Sequence, residues 1–547
     1  MKRFIVGSIW DRTNRNGINN NFDYLFKGLE VSNALNEKTD ETLLKANEVL
    51  LDAERINSEN IDVQRQLDQV IIESGTSDAE VIQARGQYNN LRERLDSAPV
   101  YLEEFGAVGD GITDDTLAIQ EAIDYASLNN KTLSAVYNKV YAVKRLFLKS
   151  NFYKFGNISF VSLEDSGNNY TITCEDDVVI DEIRVDLLSG YSNERIVKIS
   201  NRNSVGKIKI TASSQYGNVN DLQDAAVVVS GSNTKIGEID IKNFDNAVTV
   251  FDCTNTIINL IRVKSYKRAV YVRKSKDVLI HTIIVDTKSP EAGWVAGENS
   301  LLIEESENLT FPFLDLADAA EHAIRLGGVR EGLYKQENFY FGTVITRRSQ
   351  GCGFKVFSGA IETTAKLIKH IHIDNLTVID ACYKMPGIVN RDGLYLNNAR
   401  DIRIHSYTCI NEKETTSSNH GIYITGTDDV SINNTDIRNT KSKSIFIDKT
   451  DGRVNSVYFD NVNIKGAGEE SIDIDMFGEV VRDIIFRNLF ISKGSTSHYA
   501  IVFYGTAIYQ PLLFDGYVEV SKSLGSLKTN FTNDVFVNKI VDIIGVT

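Results

Sequence analysis

Three carboxylates late in the chain, Asp448, Asp473 and Asp475, are spaced so that they can act together if the chain around them is built of short parallel strands. Asp473 and Asp475 are two residues apart and so share one face of a strand. Asp448 takes the place of Asp475 in the preceding copy of a repeated segment, "SIFID" against "SIDID". Like charges this close raise one another's proton affinity, which is how a carboxyl pair divides into acid and base near neutral pH. Glycoside hydrolysis uses two carboxyl groups about 5 Å apart for retention, or about 6.5–9.5 Å apart for inversion. A pair on adjacent strands approaches the first spacing and a pair along one strand the second. The pattern leaves both open, beside the plainer reading of a solvated acidic patch.

Before these acids, the same strand positions carry Tyr395, Tyr423 and Phe446, with Asn397 and Thr425 two residues after the tyrosines. A row of exposed aromatics offers a surface on which sugar rings can stack, with hydrogen bonds from Asn397 and Thr425. Stacks that only stabilise the fold, or that lie under loops or a neighbouring subunit, are the alternative. Earlier on the same face come Arg273, Glu304, Arg325 and Lys355, and Asp392 is an outlying acid near the row. A β-eliminating lyase needs a base and a cation that neutralises a uronate. Arg325 and Lys355 also suit substrate binding. His370 and His372 alternate in "KHIHID", but no three-ligand set accompanies them, so no metal and no cofactor is expected.

What must position these residues is a repeat. Short apolar strands recur as "AVVV" at Ala226, "AVTV" at Ala247, "AVYV" at Ala269, "AIRL" at Ala323, "GLYL" at Gly393, "GIYI" at Gly421 and "SIFI" at Ser444. Across the full series, successive starts lie 21 to 31 residues apart, with 40 between Gly353 and Gly393. Most are followed by a second strand opening on Asp or Asn, as in "KDVLIHTIIV" and "DDVSINNTDI". A repeat of this length predicts a solenoid in which every coil adds one rung to parallel sheets. The second and fourth residues of each strand are expected to face inward, and the third and fifth to face solvent. Rungs about 4.8 Å apart would then set Asp448 beside Asp475 and stand Tyr395, Tyr423 and Phe446 in file.

The region before the repeat is of another kind. Residues 1–28 are rich in Asn and aromatics and predict a small docking unit. From Leu35 to Val70 apolar and small residues alternate at spacings of four and three, including Val49, Ile56 and Val63, with Asn60 set in the seam. One helix cannot bury such a heptad seam alone, so several chains are expected to meet along residues 29–98. Ser77 and Glu80 have capping-box spacing for a second helix, and Pro99 ends the region. In "EFGAVGDGITDDTLAIQEAI" the glycines Gly106, Gly109 and Gly111 do not form a dinucleotide fingerprint, and the acids lack the order of a calcium loop. Ile119, Ala122, Ile123 and Ala126 instead give residues 99–128 an amphipathic lid for the solenoid's first coil.

Composition narrows the partners. The chain of 547 residues carries a formal charge of −15, which disfavours nucleic acid, a partner that needs concentrated Lys and Arg. No segment approaches the roughly 18 apolar residues of a membrane span, and no secretory leader is read at the N-terminus. The five cysteines are scattered, odd in number and without metal spacing, and are expected to be buried free thiols.

The stretch Glu104 to Ile123 closely resembles the opening motif of the pectate-lyase superfamily as found in bacteriophage tailspikes and preneck-appendage proteins. "IWDRTNRNGINNNFDYLF" and "ESGTSDAEVIQARGQYNNLRERLD" resemble virion-proximal and neck segments of tail fibres in phages of Gram-positive bacteria. These motifs cover about the first quarter of the chain. The resemblance implies an all-β, right-handed parallel β-helix, pectin-lyase-like, over residues 129–547, with an N-terminal trimeric coiled coil. It further implies a homotrimer fixed to the phage tail or baseplate by its N-terminus, assembled in the host cytoplasm and acting at the bacterial surface. The expected substrate is a capsule, exopolysaccharide or wall teichoic acid, cleaved by hydrolysis. A non-catalytic receptor-binding fibre and a lyase are the alternatives. Coils from about residue 509 are expected to close the far end.

Overall fold

The computed structural model describes residues 86–508 with breaks at 137, 150–157, 164–168, 188–194, 217–224, 289–296, 328–334, 359–367, 383–391, 413–419 and 493–499. It also describes short helical pieces between 23 and 84 and three strands after 512; from 503 onward, and at 96, 215–216 and 476–482, backbone alone is described. The expected docking unit lies largely outside these residues, as does the capping box at Ser77 and Glu80.

Two units divide at the Ala98/Pro99 junction. The first is helical at 27–33, 45–52 and 60–66. Within it the seam residues Val49, Ile56 and Val63 are 68%, 50% and 63% exposed, so a single chain does not bury them.

The second unit is the solenoid the repeat predicts. Each coil gives a short strand to one parallel sheet, as in Arg268–Arg273, Asp392–Asn397, His420–Thr425 and Ile445–Asp448. It then gives a long strand to a second parallel sheet, as in Lys276–Lys288, Ala399–Ile410, Asp428–Arg438 and Asn455–Lys465. Strands of each kind pair only with their own kind one coil away, in parallel register. The corner opening the long strand is a residue with positive φ, among them Asp277, Asn308, Asp401 and Asp429. Asn and Asp tolerate that conformation better than other side-chain-bearing residues, which explains the recurrent acid or amide there.

The long strands also bend. At Asn434 (φ 44°) and Asn461 (φ 53°) the alternation of burial shifts by one residue, so Val430 and Ile432 point inward before the bend and Thr435 and Ile437 after it. These amides form a file: Asn461 Nδ2 donates to Asn434 Oδ1 at 3.1 Å and Asn488 Nδ2 to Asn461 Oδ1 at 3.0 Å. Inside, a continuous apolar core runs along the coils with rings stacked rung on rung, such as Phe311 on Phe341 and Phe459 on Phe486, centres 5.2 Å and 4.7 Å apart. All five cysteines are free and buried, four of them (Cys174, Cys253, Cys382 and Cys409) in this core.

At the start, helix Thr116–Leu128 buries Ile119, Ala122, Ile123 and Ala126. Two of the acids before it hold backbone amides of their own turn. Asp110 accepts from Ile112 N and Thr113 N at 2.8 and 2.7 Å, and Asp115 from Val108 N and Gly109 N at 2.7 and 3.1 Å. Asp114 instead reaches the next coil, where it pairs with Lys144 at 2.8 Å.

Candidate functional site

The short-strand wall carries the residues singled out in the sequence, and the register brings them together. In one column Arg325 pairs with Lys355, Lys355 with Tyr395, Tyr395 with Tyr423, Tyr423 with Phe446 and Phe446 with Asp473. In the column two residues on, Asn397 pairs with Thr425, Thr425 with Asp448, and Asp448 with Asp475.

A third column was not read from the sequence. The residue that opens each repeated motif ("AVYV", "GLYL", "GIYI", "SIFI") is Ala, Ser or Gly because it turns into the core: a Cβ on Gly393 would lie 2.5 Å from the Tyr407 hydroxyl, and one on Gly421 would lie 2.7 Å from Ile437. The residue just before it then stands beside the third-position side chain. In this way Arg268 lies over the Tyr271 ring at 5.2 Å, and His420 lies 5.0 Å from the Phe446 ring centre. Lys443 Nζ sits 3.8 Å above Phe446 and pairs with Asp473. Counting back one residue from each "GIYI"-type strand would have found Asp392, His420 and Lys443 as a set.

The expectation that third and fifth positions face solvent needs correction. Asn397 and Thr425 are completely buried. Asn397 Nδ2 donates to the Tyr395 hydroxyl at 2.9 Å and to Asp451 Oδ2 at 2.6 Å, and Thr425 Oγ1 accepts from Asp451 N at 3.0 Å. Both are engaged in fixing the Asp451 turn rather than turned outward to sugar. Tyr395 is 2% exposed, its ring edge against Tyr423, centres 5.1 Å apart. The accessible part of the aromatic row is Tyr423 with Phe446, both partly exposed and stacked at 5.1 Å and 17°. Arg273 and Glu304, weighed for a lyase, are buried, with Arg273 against Glu305 and Glu304 accepting from the Tyr271 hydroxyl at 2.6 Å.

The three acids differ in their surroundings. Asp448 is nearly buried, and accepts from the Tyr423 hydroxyl at 2.9 Å, Thr450 N at 3.0 Å and Thr450 Oγ1 at 2.9 Å. Its carboxylate is occupied by the turn. Asp473 is 4% exposed; burial holds its carboxyl above the ordinary range, against the pull of Lys443, and Asp475 adds only a small push in the same direction. Its Oδ1 has no partner among the described residues. Asp475, two residues on, is partly exposed. Asp392 is buried, accepts from His420 N at 3.2 Å, and is pushed up to about 8 by desolvation. His370 and His372 lie on the long-strand sheet, beside Asp401 at 2.8 Å and Asp374 at 2.9 Å. Among the described residues no group of three His, Cys, Asp or Glu side chains is arranged to hold a metal.

Over 97 residues the chain is 34% identical to a capsule K30/K69-specific depolymerase of Klebsiella phage K64-1. The match is to a phage depolymerase. It covers 15% of this chain and 12% of that relative, so the chain spans a small part of the relative's length. No family model matches. Among solved structures, the tailspike protein of E. coli bacteriophage HK620, a double mutant, aligns with TM-score 0.43 at 11% identity over 80% of each chain. The N-terminal fragment of bacteriophage Phi29 gene product 12 aligns with TM-score 0.41 at 12% identity, over 81% of this chain and 94% of that one. The Streptococcus pneumoniae surface protein and adhesin PfbA aligns with TM-score 0.33 at 17% identity, over 79% and 97%.

Proposed function

We propose that the chain is a phage tail spike or fibre that binds a bacterial surface polysaccharide along the short-strand wall and shortens it by hydrolysis. The observation that carries this reading is Asp473. It is a nearly buried carboxyl with one unpartnered oxygen, held toward its protonated form and set in register with the ring of Phe446. A sugar stacked on Phe446 and Tyr423 would bring its glycosidic oxygen to a group able to donate a proton. Asp475 is the second carboxylate. Two residues along one strand span roughly 6.5–7 Å, which leaves room for a water and favours inversion. Asp448, taken up by Tyr423 and Thr450, supports the wall instead.

The exposed seam at Val49, Ile56 and Val63 supports assembly as a homotrimer through the N-terminal helices, with residues 1–28 toward the phage tail. The Gram-positive host suggested by the N-terminal resemblance belongs to the same proposal, as do assembly in the host cytoplasm and action at the cell surface.

Binding without turnover is the second reading. It is favoured by the fact that Asp448 and Asp473 both already have partners. The two readings separate when purified capsule, exopolysaccharide or teichoic acid is incubated with the protein and new reducing ends are counted. Turnover that Asp473→Asn removes supports hydrolysis; an unsaturated product absorbing in the near ultraviolet points to a lyase; tight binding with no product leaves a receptor-binding fibre.

A further inference from the structure

We propose that Lys355 and Arg325 form an anion subsite on the short-strand wall, and hence that the bound polymer carries acidic groups, carboxylate or phosphate. This deepens the polysaccharide reading and rests on it for the identity of the ligand as a glycan.

The case begins with an unmatched ammonium. Lys355 is 8% exposed, yet among the described residues no carboxylate pairs with it. Its Nζ lies over the rings of Phe357 and Tyr395, at 5.1 and 5.2 Å. Among the described residues the polar atom within hydrogen-bond reach of Nζ is His322 Nε2, at 3.4 Å. That atom cannot accept. His322 Nδ1 accepts the backbone N–H of Cys352 at 2.8 Å, so the proton of the neutral ring is on Nε2, which faces Glu321 Oε1 at 3.3 Å. Burial keeps this imidazole neutral. The contact between Lys355 and His322 is thus donor against donor.

The neighbouring acids do not supply the missing charge. Glu321 already accepts from Gly297 N at 2.7 Å, faces His322, and lies 3.7 Å from Arg325. Asp392 is within electrostatic reach of Lys355, but burial lifts its carboxyl to about 8, so at neutral pH it brings little negative charge. One rung away from Lys355, and in register with it, Arg325 has a buried Nε with no partner among the described residues, while its side chain stays 19% exposed. Of two cations on adjacent rungs, then, Arg325 faces one carboxylate, Glu321, and Lys355 pairs with none among the described residues. Buried cations are found paired, and an oxyanion reaching this point would complete the set.

The subsite also lies on the track that the polymer would follow. Tyr395, Tyr423 and Phe446 occupy the rungs between Lys355 and Asp473, a run of roughly 19 Å at ordinary strand spacing, comparable to a few sugar units.

The test is calorimetric titration of the full chain with three probes: trigalacturonate, a glycerol-phosphate trimer and neutral galactotriose. The expected result is that an anionic trimer binds more tightly than the neutral one, and more weakly as salt is raised. Lys355→Met and Arg325→Gln should each weaken that binding tenfold or more, and Lys355→Arg should keep most of it. Preference between the two anionic probes tells carboxylate from phosphate. If Lys355→Met does not fold, as judged by circular dichroism, Arg325→Gln and Lys355→Arg carry the comparison. Equal binding of charged and neutral trimers, or unchanged affinity in the folded variants, overturns the subsite. Absence of polymer cleavage by the wild type with anionic-trimer binding intact would instead count against the hydrolase reading and leave the subsite standing.

Discussion

Tyr423 and Phe446 lie ring on ring, 5.1 Å between centres and 17° between planes, on adjacent rungs of the short-strand wall. Phe446 stands next to Asp473, and Tyr423 donates its hydroxyl to Asp448. One ring is thus tied to the proposed chemistry and the other to the support of the wall.

Replacing Phe446 should therefore act on binding more than on folding. Phe446→Ala is expected to raise KM for the polymer about tenfold, near 1.4 kcal/mol, with a smaller change in Tm. Equal KM in the variant and the wild type would remove the ring from the sugar track.

The acids divide by role. Asp473→Asn and Asp475→Asn should each lower kcat by about a hundredfold or more, because a general acid or base is worth about that much; Asp475→Asn should leave Tm nearly unchanged, while Asp473→Asn also gives up the pair with Lys443 and lowers Tm. Asp448→Ala should do the reverse, losing three hydrogen bonds at a nearly buried site and about 2 kcal/mol of stability by denaturant unfolding, with turnover largely kept. A dead but fully stable Asp448 variant would reassign it to the chemistry.

Asp392 sets a pH window. Its folded-state carboxyl is raised from 3.8 to about 8 by burial, so between those values the native state holds a proton that the unfolded chain has released. Stability contributed at this position is present below about pH 4 and is lost as pH rises toward about 8. Thermal unfolding of Asp392→Asn, followed from pH 4 to 8, should show a flatter dependence than the wild type. Parallel curves would mean that the carboxyl is not held protonated.

The amide file tests the solenoid itself. Asn461 sits at φ 53°, donating to Asn434 and accepting from Asn488. Asn461→Val places a β-branched residue where positive φ is disfavoured and breaks both bonds, so a loss of about 2–3 kcal/mol is expected by denaturant unfolding. A neutral result would mean that the corner is not rigid.

Much of this was legible in the sequence because strand register is periodic. Aligning "GLYL", "GIYI", "SIFI" and "SIDI" is enough to set Tyr395 beside Tyr423 and Asp448 beside Asp475, the pairs found. Burial was not legible in the same way. Simple alternation assigns Asn397 and Thr425 to solvent, but Asp451, far along the chain, turns back and bonds to both. Lys443 and His420 were missed for a related reason: they precede the apolar strand, and only the inward turn of the small residue after them brings them beside the aromatic column. The carboxylates could be found as a group, but the sequence offers no means of knowing that Thr450 and Tyr423 take up one of them while Lys443 pairs with another.

The most direct test of hydrolysis on this wall begins by finding a polymer that the protein binds. Fluorescently labelled protein selects a bacterial strain, its surface polysaccharide is purified, and chain length and reducing ends are followed by size-exclusion chromatography with wild-type protein and Asp473→Asn. The account predicts progressive shortening with one new reducing end per break in the wild type, and binding without shortening in Asp473→Asn. A polymer bound by both proteins and left at full length by both, or shortened equally by both, would contradict it.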